Sequence, residues 1–145
     1  MLIGLAIQAQ PKREVRAVWL TTIGGLDWPH NYAQGERSRA KQQAELQTML
    51  DQLQAAGVNT ILLQTRIRGT VIYPSDYEPW DGCLSGVPGT SPGYDALQFA
   101  IDECHKRGMA VQAWLVSIPV GKWNGLGCKR LRQRYPQLIV KIGDE

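Results

Sequence analysis

Apolar residues follow two different periods along the chain, and the order of these periods predicts strands that alternate with helices. Residues 14–22 (EVRAVWLTT) are rich in Val, Trp, Leu and Thr and are soon followed by a pair of glycines, which is typical of a strand that ends in a turn. Over 37–56 apolar residues return every three or four positions, which predicts an amphipathic helix, with Ser38 able to cap its start and Gly57 able to end it. The continuous apolar run at 59–66 (NTILLQTR) predicts a strand buried on both faces.

The same order of elements returns in the second half of the chain. A helix is predicted after Asp95, where Gln98 completes the spacing of a capping box, and it ends before Gly108. Residues 109–121 predict a third strand, and 129–136 (KRLRQRYP) begin a third helix. A helix between two strands returns the chain to the same edge of the sheet, so these strands should be parallel. The pattern therefore predicts a parallel α/β architecture.

The long connections all follow strands, whereas each helix reaches the next strand through a residue or two. The long connections cover residues 23–36, 67–93 and 117–127. In parallel α/β folds, loops at the carboxyl ends of the strands form the ligand-binding face. The passage PSDYEPWDGCLSG (74–86) belongs to this rim, and Tyr73, Tyr77 and Trp80 are expected to pack it down. It predicts either one wall of a ligand-binding cleft or a loop packed on itself.

Four stretches of the chain together resemble the N-terminal portion of the glycosyl hydrolase-like family 10 proteins. They are REVRAVWLTTIGGLDWP, LQTRIRGTVIYPSDYEPW, PGYDALQFAIDECHKRGMAVQAWLVSIPVGKW and RQRYPQL. Members of that family are bacterial envelope or secreted proteins with a TIM-barrel fold. The resemblance implies an α/β fold in which residues 13–145 form a partial TIM (β/α)₈ barrel, about the first three βα units with parallel strands.

The resemblance also implies a function and a place for the chemistry. It implies a glycoside hydrolase-like protein whose partner is a glycan substrate, peptidoglycan or another bacterial envelope polysaccharide. The catalytic carboxylates are expected beyond Glu145, so that this N-terminal fragment would hold substrate and be inactive alone. The rim acids Asp27, Asp76, Glu78 and Asp81 lie in loops and are imprecisely placed for protonating a glycosidic bond. A non-catalytic glycan-binding barrel is the alternative.

Seven side chains on the expected rim could hold a glycan. Gln64 and Arg66 share parity at the exit of the second strand, so both can point into the same mouth. Arginine offers a fork of donors and glutamine offers both a donor and an acceptor, while aromatic rings can stack on the apolar faces of sugars. The candidate substrate-binding residues are Trp19, Asp27, Gln64, Arg66, Tyr73, Trp80 and Trp114.

Several of these candidates have an equally plain structural interpretation. Arg66 can pair with an acid as a clamp, and Trp19 and Trp114 can fill a barrel core; the sequence favours neither interpretation. Trp80 is better explained as an anchor for its loop. Asp27 can either cap its own turn or meet a sugar hydroxyl.

Composition narrows the classes of partner. The 145 residues carry 16 Lys and Arg against 13 Asp and Glu, and this net charge of +3 is too small to indicate nucleic acid or an anionic membrane as a partner. The basic cluster at 129–134 (KRLRQR) is expected to be a solvated helix face. There is no phosphate loop, nucleophile elbow or metal-binding motif, so no cofactor and no metal are expected. A different barrel hydrolase chemistry, which a metal requirement would expose, is a third and weaker hypothesis.

Residues 1–12 stand apart from the rest. Seven apolar positions followed by small and polar residues, with a cleavage point after Ala9, are similar to the back half of a secretory signal. Residues 1–12 are therefore expected to be a signal remnant or a disordered tail, and the protein is expected to be exported, periplasmic or associated with the cell envelope. No other segment is apolar enough to cross a bilayer.

The three cysteines fit neither a disulfide framework nor a zinc site. Cys104 falls on the apolar stripe of the second helix and is expected to be a small buried side chain. Cys83 and Cys128 both lie in glycine-containing segments, and the sequence leaves open whether they pair.

Overall fold

A computed structural model describes residues 14–139 as a three-stranded sheet with associated helices. The elements are β1 (Ala17–Leu20), a 3₁₀ turn (Ile23–Gly25), α1 (Glu36–Ala55), β2 (Thr60–Arg66), α2 (Gly82–Ser85), α3 (Ala96–Lys106), β3 (Ala110–Leu115), α4 (Leu126–Arg134) and a second 3₁₀ turn (Pro136–Leu138). The signal remnant or tail expected at 1–12 lies outside the described residues. Over 14–139, none of the helices has the length and apolar character needed to cross a membrane.

The sheet is parallel throughout, and β2 lies between β1 and β3. In this register Trp19 lies beside Leu62, and Gln64 lies beside Trp114. Each pair of neighbouring strands is joined by a crossover that contains a helix, as parallel strands require. The predicted parallel α/β architecture is confirmed for these three strands.

One face of the sheet is buried beneath helices. Leu20 of β1 and Ile61 and Leu63 of β2 are at most 2% exposed. They pack in one cluster with Leu46 and Leu50 of α1 and with the apolar stripe of α3. Burying an apolar side chain of this size contributes about 1.5–3 kcal/mol, so this layer is the main source of stability. We call it the covered face.

The other face of the sheet is largely exposed, and we call it the exposed face. Ala17 and Trp19 of β1 and Gln112 of β3 are all exposed there, Trp19 to 57%. Strand alternation explains the contrast, because neighbouring residues of a strand point to opposite faces. Leu115, at the end of β3, is also 54% exposed, so β3 is less covered than β2 on both sides.

The strands are shorter than the apolar stretches that predicted them. β1 occupies only 17–20 of the predicted 14–22, and β3 ends at Leu115 rather than near 121. β1 stops because the backbone N–H of Thr21 donates to the Asp27 carboxylate at 2.7 Å instead of continuing the ladder. The ladder of β3 is irregular opposite 64–66 and ends there. A side-chain partner beyond the strand therefore sets the end of β1, and a change of register marks the end of β3.

The start of α1 differs in detail from the prediction. Ser38 is the third helical residue and not the N-cap, which is Gly35. From inside the helix the Ser38 hydroxyl oxygen accepts from the N–H groups of Gln34 and Gly35, both at 3.0 Å. At the other end Gly57 has a φ of +81°, which confirms its predicted left-handed conformation.

The start of α3 and the last helix show two further differences. Asp95 caps α3 as predicted and accepts from the N–H of Gln98 at 3.0 Å. The Gln98 side chain donates instead to Asp102 at 2.9 Å, so only half of the capping box forms. The last helix starts at Leu126 rather than near 129. The short helix α2 was not predicted from the sequence. The helix-to-strand connections, at 56–59 and 107–109, are also longer than the predicted one or two residues.

Glu103 is a buried carboxylate at the contact between α3 and α1. Its oxygens accept from Lys106 at 2.6 Å and from Arg107 at 2.8 Å, and Arg107 also donates to Asp51 of α1 at 2.7 Å. The hydrogen bonds from Lys106 and Arg107 lower the pKa of Glu103 from 4.5 to about 2. This ion network fastens the two covering helices to each other.

Candidate functional site

Two indole rings meet on the exposed face of the sheet. Trp19 of β1 and Trp114 of β3 flank the central strand, and their ring centroids are 4.8 Å apart at an interplanar angle of 83°. This is an edge-to-face pair, which requires both rings to reach across β2. The structure thus brings together two predicted site residues. Because Trp19 remains more than half exposed, its ring offers a surface on which a sugar could stack.

Gln64 lies next to this pair, and its amide group has a fixed orientation. Its side-chain oxygen accepts from the backbone N–H groups of Thr22 at 3.1 Å and Ile23 at 2.9 Å. The Thr22 hydroxyl donates to the Gln64 backbone oxygen at 2.8 Å. Since both backbone partners are donors, only the oxygen of the amide can face them, and the NH₂ group is the part left for a ligand. Gln64 is 3% exposed.

Arg66 forms a clamp at the exit of β2. Its Nε lies 2.8 Å from Oε2 of Glu78, and its Nη2 lies 2.6 Å from Oε1 of the same carboxylate. Its Nη1 donates to the backbone oxygens of Val116 and of Ser117, the latter at 3.2 Å. Arg66 thereby joins the loop after β2 to the exit of β3. The donors of its guanidinium are engaged within the protein, which is the structural interpretation that the sequence left open.

Two of the other three rim acids are also held by the protein. Asp27 accepts from the N–H of Thr21, which closes the turn after β1. Asp81 accepts from the Thr70 hydroxyl at 2.6 Å and from the N–H of Cys83 at 2.8 Å, so it caps α2. Asp76 is exposed. These contacts agree with the interpretation of the rim acids as loop residues.

The loop from 67 to 95 is packed on itself. The N–H of Val71 donates to the oxygen of Pro79 at 3.0 Å, and the N–H of Asp81 donates to the oxygen of Val71 at 2.8 Å. Trp80 packs against the core cluster, and Tyr73 is partly buried. Tyr77, which was expected to pack the loop down, is 71% exposed because it lies at the tip of the loop. The expectation for Tyr77 was wrong.

A small cavity of about 140 Å³ lies between this loop and α4. Tyr77, Glu78, Arg130 and Tyr135 contribute to its walls. Lys129 and Arg130 are both exposed, as expected for a solvated basic face. The Arg134 guanidinium lies 5.7 Å from the ring of Tyr77, so the loop tip and the last helix are in contact.

The cysteines carry no disulfide. Cys83, Cys104 and Cys128 are all buried free thiols. Burial raises the pKa of Cys104 to about 11, and burial next to Asp81 raises the pKa of Cys83 as well. Thiols with raised pKa values are poor nucleophiles. Between residues 14 and 139 no group of three or more His, Cys, Asp or Glu side chains could hold a metal ion.

The sequence interpretation missed Gln42, and it named Glu78 as a rim acid without its role as the partner of Arg66. Gln42 is fully buried, accepts from the Tyr94 hydroxyl at 2.6 Å and donates to the Leu84 oxygen at 3.0 Å. It thereby joins α1 to the loop after β2. A signal for Gln42 existed, since it lies four residues before Leu46 on the buried stripe of α1. No sequence signal pairs Glu78 with Arg66.

Residues 14–139 match the family model described as Glycosyl hydrolase-like 10. The chain is 42% identical over 114 residues to the glycosyl hydrolase DigH of Escherichia coli (strain K12), which covers 75% of this chain and 26% of that protein. It is 41% identical over 141 residues to the glycosyl hydrolase YngK of Bacillus subtilis (strain 168), which covers 94% of this chain and 27% of that protein. The chain therefore spans about a quarter of the length of these relatives. The family match runs through all the described residues, and the sequence motifs and the parallel sheet agree with it. The chain therefore belongs to the glycosyl hydrolase-like 10 family.

Proposed function

We propose that this chain is the substrate-holding part of a glycoside hydrolase that acts on bacterial envelope glycans, with peptidoglycan as the first candidate. The family and the names of both relatives support a glycoside hydrolase-like protein. The observation that carries the proposal is the exposed face of the sheet, where the Trp19–Trp114 pair lies beside the fixed amide of Gln64. An aromatic platform with one oriented donor suits a sugar ring and an oxygen atom attached to it.

We also propose that these strands are the first part of a TIM barrel. Three parallel strands with a helix-covered face and an exposed face have the layering of a barrel segment, in which the exposed face would line the interior. Trp19, Gln64 and Trp114 lie toward the carboxyl ends of their strands, which is the end where barrel enzymes bind substrates. The relatives are about four times as long as the matched segment, which leaves length for the remaining strands.

The catalytic carboxylates of this proposal come from later strands of the longer protein. Glycosidases need two carboxyl groups on either side of the scissile bond. Asp27, Glu78 and Asp81 are each held by hydrogen bonds from the protein, so they support loops rather than flank a substrate. The same observation favours the second candidate function, a barrel that binds glycans without cleaving them.

Export to the periplasm or the cell envelope completes the proposal. Its support is the apolar run that begins the chain and the small residues that follow it, as in a secretory signal. An envelope location would place the protein beside the proposed substrate. Fractionation of cells that produce the protein, with an antibody against it, tests this step: recovery in the cytoplasm alone would contradict it.

The binding proposal can be tested on the purified chain with chitotetraose, a neutral oligosaccharide of N-acetylglucosamine. Tryptophan fluorescence should change in a saturable way as the sugar stacks on the exposed indole. Trp19→Ala should weaken binding about tenfold, since one aromatic contact is worth about 1 kcal/mol or more. The matched control is Trp123→Ala, because Trp123 is 60% exposed, belongs to the connection between β3 and α4, and packs under Arg132.

Equal weakening by the two variants, or no binding at all, would refute the proposed role of the exposed face. Release of reducing ends from peptidoglycan by the complete protein then separates the two candidate functions. A hydrolase releases them, whereas a binding-only barrel retains the glycan intact.

A further inference from the structure

A second cleft lies on the rim, apart from the indole pair. It has a volume of about 270 Å³ and is formed between the loop after β1 and the loop after β2. We call it the Arg39 pocket, since Arg39 of α1 is its charged residue. Gln34, Ser85, Thr90 and Ser91 supply further polar atoms to its walls. Both loops leave the carboxyl ends of their strands, so the pocket opens at the same end of the sheet as the proposed glycan face.

Within residues 14–139 the Arg39 guanidinium forms no ion pair and no side-chain hydrogen bond. Its Nε is fully enclosed and has no hydrogen-bond acceptor in the part of the chain that the structure describes. None of the ion pairs formed among residues 14–139 includes Arg39. The other arginines near the sheet, Arg66 and Arg107, each meet a carboxylate within 3 Å. The two Nη groups of Arg39 are not among the enclosed unpaired atoms and also have no hydrogen-bond partner among the described residues, so they are the donors that a ligand in the pocket can reach.

Gly93 holds the guanidinium in place. A Cβ atom at this position would lie 2.3 Å from Nη2 and 2.8 Å from Cζ of Arg39, so any larger residue would displace the guanidinium from its present place. Gly93 also has a φ of +82°, which favours glycine. The Ser91 hydroxyl accepts from the N–H of Gly93 at 3.1 Å and fixes this turn. Arg39 is therefore seated in the pocket wall and is not a freely moving surface side chain.

Glu45 of α1 meets groups other than Arg39. Its oxygens accept from the backbone N–H of His30 at 3.2 Å and from Asn31 at 3.3 Å, and Oε1 also pairs with the His30 ring. The positive charge of Arg39 is thus left for a group from outside the described residues. The pocket also has apolar walls from Ala33 and Pro92.

We propose that the Arg39 pocket binds a carboxylate carried by a sugar of the glycan. A guanidinium presents two parallel N–H groups to a carboxylate, and this bidentate pair is among the strongest charge-assisted contacts in proteins. The polar side chains can meet the hydroxyls of the same sugar, and the apolar walls can meet its C–H groups. The inference rests on the proposed glycan function and narrows it to acidic glycans, for which a lactyl ether or a uronic acid would supply the carboxylate.

N-acetylmuramic acid and its methyl ester are a matched pair of probes, because they differ only in the charge of the lactyl group. The direct readout is the ¹H–¹⁵N signal of Arg39 Nε in the full chain, assigned by its absence in Arg39→Gln. We expect this signal to shift with the acid and not with the ester. We also expect Arg39→Gln to weaken binding of the acid about tenfold. Arg37→Gln is the matched control, since Arg37 is exposed one residue before Ser38 and does not line the pocket.

Each outcome of this experiment decides the inference. A shift that saturates with the acid, with Arg37→Gln unchanged, supports it. Equal binding of acid and ester, an unmoved Arg39 signal, or equal loss in Arg37→Gln and Arg39→Gln overturns it. If the original chain binds chitotetraose but does not prefer the acid over the ester, the Arg39 pocket alone is overturned. If the original chain does not bind chitotetraose, the result counts against the proposed function itself. Circular dichroism of Arg39→Gln shows whether a loss of binding reflects unfolding. Arg39→Lys is a milder variant for the same comparison.

Discussion

The two faces of the sheet are built from the same three strands and have opposite character. On the covered face Leu20, Ile61 and Leu63 are buried under α1 and α3. On the exposed face Trp19 is more than half accessible and forms an edge-to-face pair with Trp114. Because side chains alternate along each strand, one face can be selected for stability while the other is free to bind.

Gln64 refines this comparison. It belongs to the exposed face by strand parity but is only 3% exposed, since it lies on the central strand beside the indoles. Its hydrogen bonds to Thr22 and Ile23 tie the exposed face to the loop after β1. The exposed face is therefore ordered by polar contacts, whereas the covered face is ordered by apolar packing.

The largest expected effect is on the covered face. Leu50 of α1 is fully buried, and Leu50→Ala should lower the free energy of unfolding by about 3 kcal/mol, because it removes apolar contacts and leaves a cavity. Urea denaturation measures the change. Gln52→Ala, an exposed position on the same helix, should stay within about 0.5 kcal/mol of the original. A loss for Leu50→Ala as small as that of the control would show that the covered face is not the main source of stability.

A smaller effect is expected from the ion network that fastens the covering helices. The pKa of Glu103 is about 2 in the folded chain against 4.5 ordinarily, so its contribution to stability is fully present above pH 4.5 and is lost as the pH falls through 2. Glu103→Gln should lower the free energy of unfolding by about 2 kcal/mol at pH 7, since it removes charged hydrogen bonds. This difference should shrink between pH 5 and pH 2.5.

The control for Glu103 is another carboxylate of α3. Asp102 is exposed and accepts only from Gln98 at 2.9 Å among the described residues, so Asp102→Asn should change stability little at any pH. Denaturation curves at several pH values test both variants together. A constant gap between Glu103→Gln and the original chain would mean that the carboxylate is not held ionised by its two partners.

The smallest effect on stability is expected on the exposed face. Trp19→Ala should cost only about 1 kcal/mol, which is the value of an edge-to-face aromatic pair. Trp28→Ala should cost several times more, because Trp28 is fully buried and its indole N–H donates to the Gln42 oxygen at 3.1 Å. If the two substitutions were equally costly in thermal melts, the distinction between the faces would not hold for aromatic residues.

Most of the fold could be predicted from the sequence, because the two apolar periods are local properties. The period over 37–56 identified α1 to within one residue at each end, and the apolar run at 59–66 identified β2. The ends of β1 and β3 could not be predicted in this way. β1 ends where Asp27 takes the N–H of Thr21, and this contact depends on how the following turn folds.

The candidate site was predictable only in part. Shared strand parity predicted that Gln64 and Arg66 could face the same mouth, but it could not show that Arg66 would meet Glu78 twelve residues later. The sequence also gave no reason to separate Arg39 from Arg37 on the first turn of α1. Only the folded loops show that Arg39 lies against Gly93 while Arg37 remains exposed.

The sequence by itself determined the strand and helix order, the parallel sheet and the family, since these follow from periodicity, from the need of a crossover for parallel strands, and from motifs that can be read along the chain. Tertiary structure alone decided which polar groups are already satisfied. Hydrogen bonds and ion pairs act over about 3 Å, and the residues within that distance of Arg66, Asp27 or Arg39 come from loops whose relative positions exist only once the chain has folded.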